Sequence, residues 1–229
     1  MMDEQQFDLM RQQMIAEVVA ETVFLTPRLG KAALNARVIE VMAKILRHEF
    51  VPVELRSYAY VNGPLPVGYG KTISQPFIIA LMTDLLEPQP GDVVLEVGAG
   101  VGYQAAILAE LVKQVYSVEI IEELALNAER RLKRLGYRNV EVRIGNGYYG
   151  WPEHAPFDKI IVTAAPELVP PPLIAQLKSG GRLVIPTGIP DKQQLVLVEK
   201  AESGRLVAKD ILPVRFSQLE ESGDFAGTA

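Results

Sequence analysis

The chain contains no cysteine, only two histidines and no long apolar run. Without cysteine there are no disulfides, no thiolate nucleophiles and no Cys-ligated zinc sites. No uninterrupted apolar stretch reaches the ~18 residues that a membrane span requires. The start, MMDEQQFDLM, lacks the basic residues and apolar stretch of a secretory signal. We therefore expect a cytoplasmic protein that does not bind membranes or a metal ion.

The chain also lacks an excess of basic residues, and its formal net charge is −5. A broad basic surface supplies most of the nonspecific affinity for nucleic acids. One local basic run, ERRLKRLGYR at 129–138, is predicted to be the solvated face of a helix. We therefore expect no nucleic-acid partner.

The length of 229 residues and the hydrophobic content of 48% fit one globular core with an extension. We predict a helical cap over residues 1–60 and a core over residues 61–229. Two helices are predicted in the cap from apolar residues at helical spacing, with a break at FLTPRLGKAALN. These apolar residues are Phe7, Met10, Met14 and Val18 in the first helix, and Val38, Val41, Met42, Ile45 and Leu46 in the second.

From residue 92 onward, short apolar runs alternate with helical segments, which predicts an α/β fold with a mostly parallel sheet. The last strands follow one another without helices between them, so an antiparallel edge is expected. Helices are predicted at 102–113, at 122–136 and just after the three prolines at 170–172. Predicted strands are DVVLEVG, QVYSVE, NVEVRIG, FDKIIVTAA, GRLVIPTG, QQLVLVEK and LVAKDILPVRF.

The glycine cluster LEVGAGVG follows the first of these strands. A dinucleotide fingerprint, G-x-G-x-x-G, would need its third glycine at position 103, where Tyr103 stands. The observed spacing is G-x-G-x-G, with Glu96 before it and Glu119 at the end of the next strand. This pattern is typical of S-adenosylmethionine-dependent methyltransferases with a Rossmann-like fold. The glycines allow close backbone approach, and Glu119 is placed to accept hydrogen bonds from the ribose hydroxyls.

A second glycine-rich segment, PLPVGYGKTISQP at 64–76, precedes the first. Together with VLEVGAGVGYQAAILA, GYYGWPEHAPFD and the later LPVRF, it resembles the protein-L-isoaspartate (D-aspartate) O-methyltransferase family. The resemblance implies methyl transfer from S-adenosylmethionine to the free α-carboxyl of L-isoaspartyl residues in damaged proteins. It also implies S-adenosylhomocysteine as product, and isoaspartyl peptides and proteins as partners. A monomer is expected, although no feature of the sequence reveals the oligomeric state.

The same resemblance implies specific site residues. Ser74 is expected to be the catalytic residue. The expected cofactor contacts are Thr72, Ile73, Ser74, Glu96, Gly98, Gly100, Gly102, Glu119, Ile120, Asn146 and Gly147.

Ser74 also has a purely structural interpretation, because its hydroxyl could cap the predicted helix PFIIALMTDLL. Neither histidine has a triad context, so Ser74 is not expected to be a hydrolase nucleophile. The preceding PLPVGYG is interpreted as a wall or lid over the site, or alternatively as a rigid surface loop. Trp151 and His154 are interpreted as residues that pack a loop.

Three departures from the family pattern bear on the acceptor. Asn146-Gly147 stands where the family has Asp-Gly, so Asn146 is expected either to bind the adenine amino group or only to turn the chain. Residues 19–35 form a longer linker than is usual. The tail SQLEESGDFAGTA keeps Leu219 but places Glu220 where a small hydroxyl is expected.

Two other functions remain open from the sequence. The chain could methylate a different carboxylate or a small molecule, or it could be a noncatalytic cofactor-binding homologue. The segment TAAPEL replaces the Asn/Asp-Pro-Pro-Tyr motif of base methyltransferases and argues against methylation of nucleobases. Because Glu96, the glycines, Glu119 and Ser74 are present together, the sequence favours an enzyme.

Overall fold

The computed structural model describes residues 2–220, and its helices and strands follow the predicted alternation. The α-helices of this range are α1 (Glu4–Phe24), α2 (Thr26–Leu29), α3 (Ala36–Lys44), α4 (Pro76–Leu86), α5 (Tyr103–Ala109), α6 (Glu122–Arg134) and α7 (Pro171–Gln176). The strands of this range are β1 (Leu65–Gly68), β2 (Lys71–Ile73), β3 (Val93–Val97), β4 (Gln114–Glu119), β5 (Val140–Ile144), β6 (Phe157–Val162), β7 (Leu177–Ile189), β8 (Lys192–Lys200) and β9 (Leu206–Val214). Short 3-10 helices lie at Arg47–Phe50, Val53–Tyr58, Gly147–Tyr149 and Pro152–His154.

The main sheet has the strand order β5-β4-β3-β6-β7-β8-β9. The five strands from β5 to β7 run parallel, and β8 and β9 are antiparallel, which confirms the predicted α/β class and its antiparallel edge. The chain proceeds from β3 outward to β5 and then returns to place β6 on the other side of β3. This reversal is a topological switch point, where open α/β sheets bind ligands beyond the carboxyl ends of the strands.

Both faces of the sheet are buried, which explains why its central strands are continuous apolar runs. Alternate residues point to opposite faces, as the two-residue period of a strand requires. Val94 belongs to the larger core, with α1, α3, α4 and α5, whereas its neighbour Leu95 belongs to the smaller core, with Trp151 and Leu173 of α7. The sheet is therefore the middle of three layers.

The N-terminal helices confirm the predicted spacing, since Phe7, Met14, Val18, Val38 and Met42 are all buried. The expected break at 24–35 is only partly correct, because a four-residue helix, α2, forms inside it. Its proline stands in the first helical turn, where no backbone donor is needed, and Gly30 ends it in the left-handed conformation. Buried residues of the N-terminal helices and of the sheet form one continuous core.

Helix α5 is shorter than the predicted 102–113. After Ala109 the chain turns so that the backbone N–H groups of Lys113 and Gln114 both donate to the Asp92 carbonyl, at 3.0 and 3.3 Å. These bonds place the start of β4 beside β3. The residues after Ala109, which periodicity assigned to the helix, therefore form the turn that leads into the sheet.

The segment before Ser74, predicted to be a lid or loop, forms the β-hairpin β1–β2. Gly68 pairs with Lys71, which leaves a two-residue turn at Tyr69 and Gly70. Both turn residues have positive φ, 54° and 66°, as a type I′ hairpin turn requires. Tyrosine is uncommon in such a turn, so the sequence pattern did not predict the hairpin.

Among residues 2–220, no helix is both long and apolar enough to cross a lipid bilayer. Tail residues 221–229, whose departures from the family pattern were noted above, lie outside the described residues.

Candidate active site

A cavity of about 650 Å³ lies beyond the carboxyl ends of β3, β4 and β6, at the switch point of the sheet. Its walls come from distant parts of the chain. They include Glu21 of α1, residues 71–75 of the hairpin, residues 97–101 after β3, residues 118–120, and the run 212–220. This volume suits a nucleoside-sized ligand, since ligand pockets span about 300–1,000 Å³.

The glycine loop after β3 is fixed by neighbours on both sides. The Gly98 N–H donates to the Val118 carbonyl at 2.8 Å, and the Thr163 hydroxyl donates to the Gly98 carbonyl at 2.8 Å. Gly98 has φ 94°, and a Cβ there would lie 2.4 Å from the Thr163 Oγ1, so only glycine fits. Gly98 and Gly100 both line the cavity, so both are placed to approach a ligand.

Gly102 has a different position. It is the N-cap of α5, with φ 87°, and it is not among the residues that line the cavity. A Cβ there would lie 3.2 Å from Leu132 of α6. This glycine lets α5 start close to α6, and the cofactor contact expected at Gly102 stays a prediction.

Glu119 ends β4 and faces the cavity together with Ile120. One carboxylate oxygen accepts the Gly100 N–H at 2.7 Å, and the other accepts the Ile121 N–H at 3.1 Å. Each carboxylate oxygen has a second lone pair, so both can also accept a ligand hydroxyl. Glu119 thus holds the glycine loop in place and offers acceptors to a ligand.

Glu96 lies under the glycine loop, with no exposed surface, and does not line the cavity. Its side chain accepts a hydrogen bond from the Ser117 hydroxyl. Burial, assisted by repulsion from Glu119, raises the pKa of Glu96 to about 8, although the bond from Ser117 opposes this shift. The side chain is a buried acid, mostly neutral near pH 7, that does not line the cavity. The direct contact between Glu96 and the cofactor that the resemblance implies stays a prediction.

Ser74 lines the cavity, as do Thr72 and Ile73. The structure does not support the capping interpretation of Ser74. The N-cap of α4 is Gln75, which makes no side-chain cap bond. Instead, the Asn62 side-chain oxygen accepts the Phe77 N–H at 3.0 Å. Ser74 is therefore available to a ligand without being required to start α4.

Arg47 holds the Ser74 segment from behind, a contact that the sequence did not reveal. Its side chain is fully buried and donates to the carbonyls of Ala59, at 2.8 Å, and of Ser74, at 2.7 Å. Its guanidinium lies 4.8 Å from the centre of the Tyr103 ring. Burial lowers the pKa of Arg47. A lone arginine after an apolar helix has no sequence signal that distinguishes it from a surface residue.

Asn146 follows β5, and its side-chain oxygen accepts the Tyr148 N–H at 2.8 Å. It therefore caps the 3-10 helix Gly147–Tyr149, which agrees with the turn interpretation. Gly147 lines the cavity, whereas Asn146 is not among the lining residues. The contact with adenine that is expected of Asn146 stays a prediction.

The run 212–220 completes the cavity. The Ala165 N–H donates to the Ser217 carbonyl at 2.8 Å, and the Leu219 N–H donates to the Ala165 carbonyl at 3.0 Å. These bonds place the run beside the loop that follows β6. Glu220 then reaches Lys71 of the hairpin.

Trp151 and His154 lie outside the cavity lining, as their interpretation as packing residues predicts. The rings of Tyr116 and His154 stack with centroids 3.9 Å apart, and Trp151 packs edge-on against Tyr116. They stabilise the smaller core.

The model of the protein-L-isoaspartate (D-aspartate) O-methyltransferase family matches residues 21–223. The chain belongs to this family. A protein-L-isoaspartate O-methyltransferase of Polaromonas sp. is 62% identical over 96% of this chain and 94% of its own length. One of Syntrophobacter fumaroxidans is 60% identical over 91% of this chain and 85% of its own length.

Solved structures agree with this assignment. A protein-L-isoaspartate O-methyltransferase structure superposes with a TM-score of 0.77 and 31% identity, over 91% of this chain and 65% of that one. A Plasmodium falciparum structure described as a protein-L-isoaspartate O-methyltransferase, in complex with S-adenosyl-L-homocysteine, gives a TM-score of 0.72 over 88% of this chain and 98% of that one. At 23% identity the second likeness shows the fold alone.

This methyltransferase uses S-adenosylmethionine as its methyl donor, and the cavity has the groups that such a ligand needs. The glycine loop leaves backbone exposed, and Glu119 presents carboxylate oxygens close to it. The apolar side chains of Ile120 and Leu124 line the cavity beside Glu119 and suit the flat face of a base.

Replacing Glu119 with alanine should weaken binding of S-adenosylhomocysteine by roughly 1–3 kcal/mol, because ligand hydroxyls and the Gly100 N–H both lose an acceptor. Isothermal titration calorimetry would measure the change. Glu119→Gln, which keeps one oxygen, should lose less. Glu122→Ala, in the first turn of α6 and outside the lining, is the control. Equal affinity in wild type and Glu119→Ala would contradict this placement.

Proposed function

We propose that the methyl donor and the acceptor bind at different walls of the cavity. The methyl donor lies along the glycine loop and Glu119, and the acceptor lies beside Ser74. The enzyme transfers the methyl group of S-adenosylmethionine to the free α-carboxyl of L-isoaspartyl residues, a step in protein repair. The observation that supports the division is that Ser74 and Glu119 come from different elements and line one cavity.

The reaction requires little acid–base catalysis from the side chains of the protein. When bound, the cofactor supplies an electrophilic methyl group on a sulfonium. The acceptor carboxylate is already an anion near pH 7, so no residue needs to remove a proton from it. One carboxylate oxygen forms a bond to the methyl carbon as the carbon–sulfur bond breaks, and both opposite charges disappear. The contribution of the chain is alignment of the two groups and exclusion of water.

Ser74 has the chemistry for this alignment. Its hydroxyl can donate to one oxygen of the acceptor carboxylate and leave the other oxygen to attack. The bond from Arg47 to the Ser74 carbonyl fixes the backbone on which this hydroxyl is carried. Ser74 is therefore proposed as the catalytic residue, with Arg47 as its positioning residue.

Replacing Ser74 with alanine should lower methyl transfer to an isoaspartyl peptide by roughly 10–100-fold, because a donor aimed at the reacting group is lost. The free energy of unfolding should change by less than about 0.5 kcal/mol, since Ser74 does not cap α4. Turnover and thermal denaturation are the two measurements. Ser203→Ala, exposed in the turn between β8 and β9, is the matched control. Unchanged turnover in Ser74→Ala would contradict the assignment.

The acceptor is tested with a pair of peptides that differ only in an isoaspartyl or a normal aspartyl linkage. The proposal expects methyl transfer to the isoaspartyl peptide and almost none to the aspartyl peptide. Equal transfer to both, or to neither, would favour a different acceptor or a noncatalytic role.

We further propose that the enzyme is a cytoplasmic monomer without a nucleic-acid partner, and that residues 1–60 form a helical cap on a core of residues 61–229. The net charge of −5 supports the absence of nucleic acid. The shared buried cluster of the N-terminal helices and the sheet supports a cap that folds together with the core.

A further inference from the structure

An ion pair closes one side of the cavity. The ammonium of Lys71, in β2, lies 2.5 Å from a carboxylate oxygen of Glu220. The side chains of both residues are partly exposed, 21% for Lys71 and 34% for Glu220, and both line the cavity. The pair therefore lies at the rim, where the cavity meets solvent.

The pair belongs to the acceptor side of the cavity. Lys71 precedes Ser74 by three residues on the same strand and its extension. Glu220 directly follows Leu219, whose N–H is bonded to the Ala165 carbonyl. Lys71, Ser74 and Glu220 all line the same cavity, so an acceptor peptide that binds beside Ser74 can reach the pair.

The charges of the wall pose a difficulty for an anionic acceptor. The lining contains three carboxylates, Glu21, Glu119 and Glu220, against two cations, Lys71 and Arg215. A carboxylate that enters among like charges is repelled unless a cation receives it. Of the two cations in the lining, Lys71 is closer in sequence to Ser74, and it is already paired with Glu220.

We propose that Lys71 is a specificity residue that receives the acceptor carboxylate, and that Glu220 holds this position until the acceptor replaces it. This inference rests on the proposed function. In this exchange, the acceptor carboxylate replaces the Glu220 carboxylate at the Lys71 ammonium. Lys71 therefore keeps a charged partner throughout and does not exchange it for water. Because Glu220 competes with the acceptor for the Lys71 ammonium, it lowers the affinity for acceptors. Only an acceptor group that carries a negative charge can replace it, which makes the site selective.

The exchange predicts opposite effects for the two partners. Lys71→Met should raise the KM for an isoaspartyl peptide about tenfold, because the receiving cation is lost. Glu220→Gln should lower that KM about threefold, because the competitor is lost. In the Lys71→Met background, Glu220→Gln should have no effect, since the ammonium for which Glu220 and the acceptor compete is gone. The affinity for S-adenosylhomocysteine should change less than twofold in each variant.

Three controls make the result specific. Lys113→Met and Glu40→Gln make the same charge changes at exposed positions outside the cavity lining, and should leave KM unchanged. Lys71→Arg keeps the cation and should keep a KM within about twofold of wild type. Binding of S-adenosylhomocysteine shows whether each variant is folded. If Lys71→Met does not fold, Lys71→Gln is used in its place.

If the pair only fastens the hairpin to the 212–220 run, breaking it from either side has the same effect. Two KM values that rise together, or that both stay unchanged, would overturn the exchange. Failure of the proposed function looks different, since wild type itself would then not distinguish isoaspartyl from aspartyl peptides.

Discussion

Replacement of Arg47 with leucine should lower the free energy of unfolding by about 3–5 kcal/mol. Two carbonyl groups, of Ala59 in a buried place and of Ser74 in a partly buried one, would lose their donor, at about 1–3 kcal/mol each. The shorter side chain would also leave a cavity beside Tyr103, which adds to the loss. Urea denaturation monitored by circular dichroism would measure the change.

Two further substitutions make the Arg47 result interpretable. Arg134→Leu removes a guanidinium that is 58% exposed and paired with Glu49, and should cost less than about 1 kcal/mol. Arg47→Lys keeps the charge but cannot reach both carbonyls as a planar guanidinium does, so an intermediate loss is expected. A loss below about 1 kcal/mol in Arg47→Leu would show that these buried bonds contribute little.

A second large effect should appear in the pH dependence of stability, through Glu96. Burial raises the pKa of Glu96 from the ordinary 4.5 to about 8, so between these pH values the folded chain holds one proton more than the unfolded chain. The free energy of unfolding should therefore fall as the pH rises through this window. Since each pKa unit corresponds to about 1.4 kcal/mol, the contribution is on the order of several kcal/mol.

The Glu96→Gln variant isolates this contribution, because glutamine does not titrate. Its free energy of unfolding, measured by denaturant titration from pH 5 to 9, should fall less steeply with pH than that of wild type. The two curves should therefore separate progressively, with the variant gaining relative to wild type toward alkaline pH. Parallel curves would mean that Glu96 titrates alike in the folded and unfolded chains.

The parts of this fold that the sequence predicts are those in which local pattern and tertiary structure agree. β4 was predicted at its observed limits because Gln114–Glu119 is a β-branched and apolar run between turns. The G-x-G-x-G spacing likewise predicted that Gly98 and Gly100 would approach a ligand. Their positive φ values, 94° and 52°, explain why glycine is needed at these two turns.

The parts that were not predicted depend on partners far away in the chain. Ser74 has the local features of a helix cap, yet α4 takes its cap from Asn62, 15 residues before Phe77. Lys71 and Glu220 are 149 residues apart, so no local window contains both. Glu96 belongs to a recognisable motif, but only the packed sheet shows that it is fully buried and bonded to Ser117 rather than lining the cavity.

Because the walls of the cavity extend from Glu21 to Glu220, the binding site does not exist in any half of the chain. A ligand can therefore occupy the site only when all of these parts of the chain are folded together. Mass action then works in the other direction as well: a ligand present at 100 times its Kd adds about 2.7 kcal/mol to the stability of the folded chain. A repair enzyme of this design is protected from unfolding by its own methyl donor, and starvation for that donor would make the enzyme itself easier to unfold and degrade.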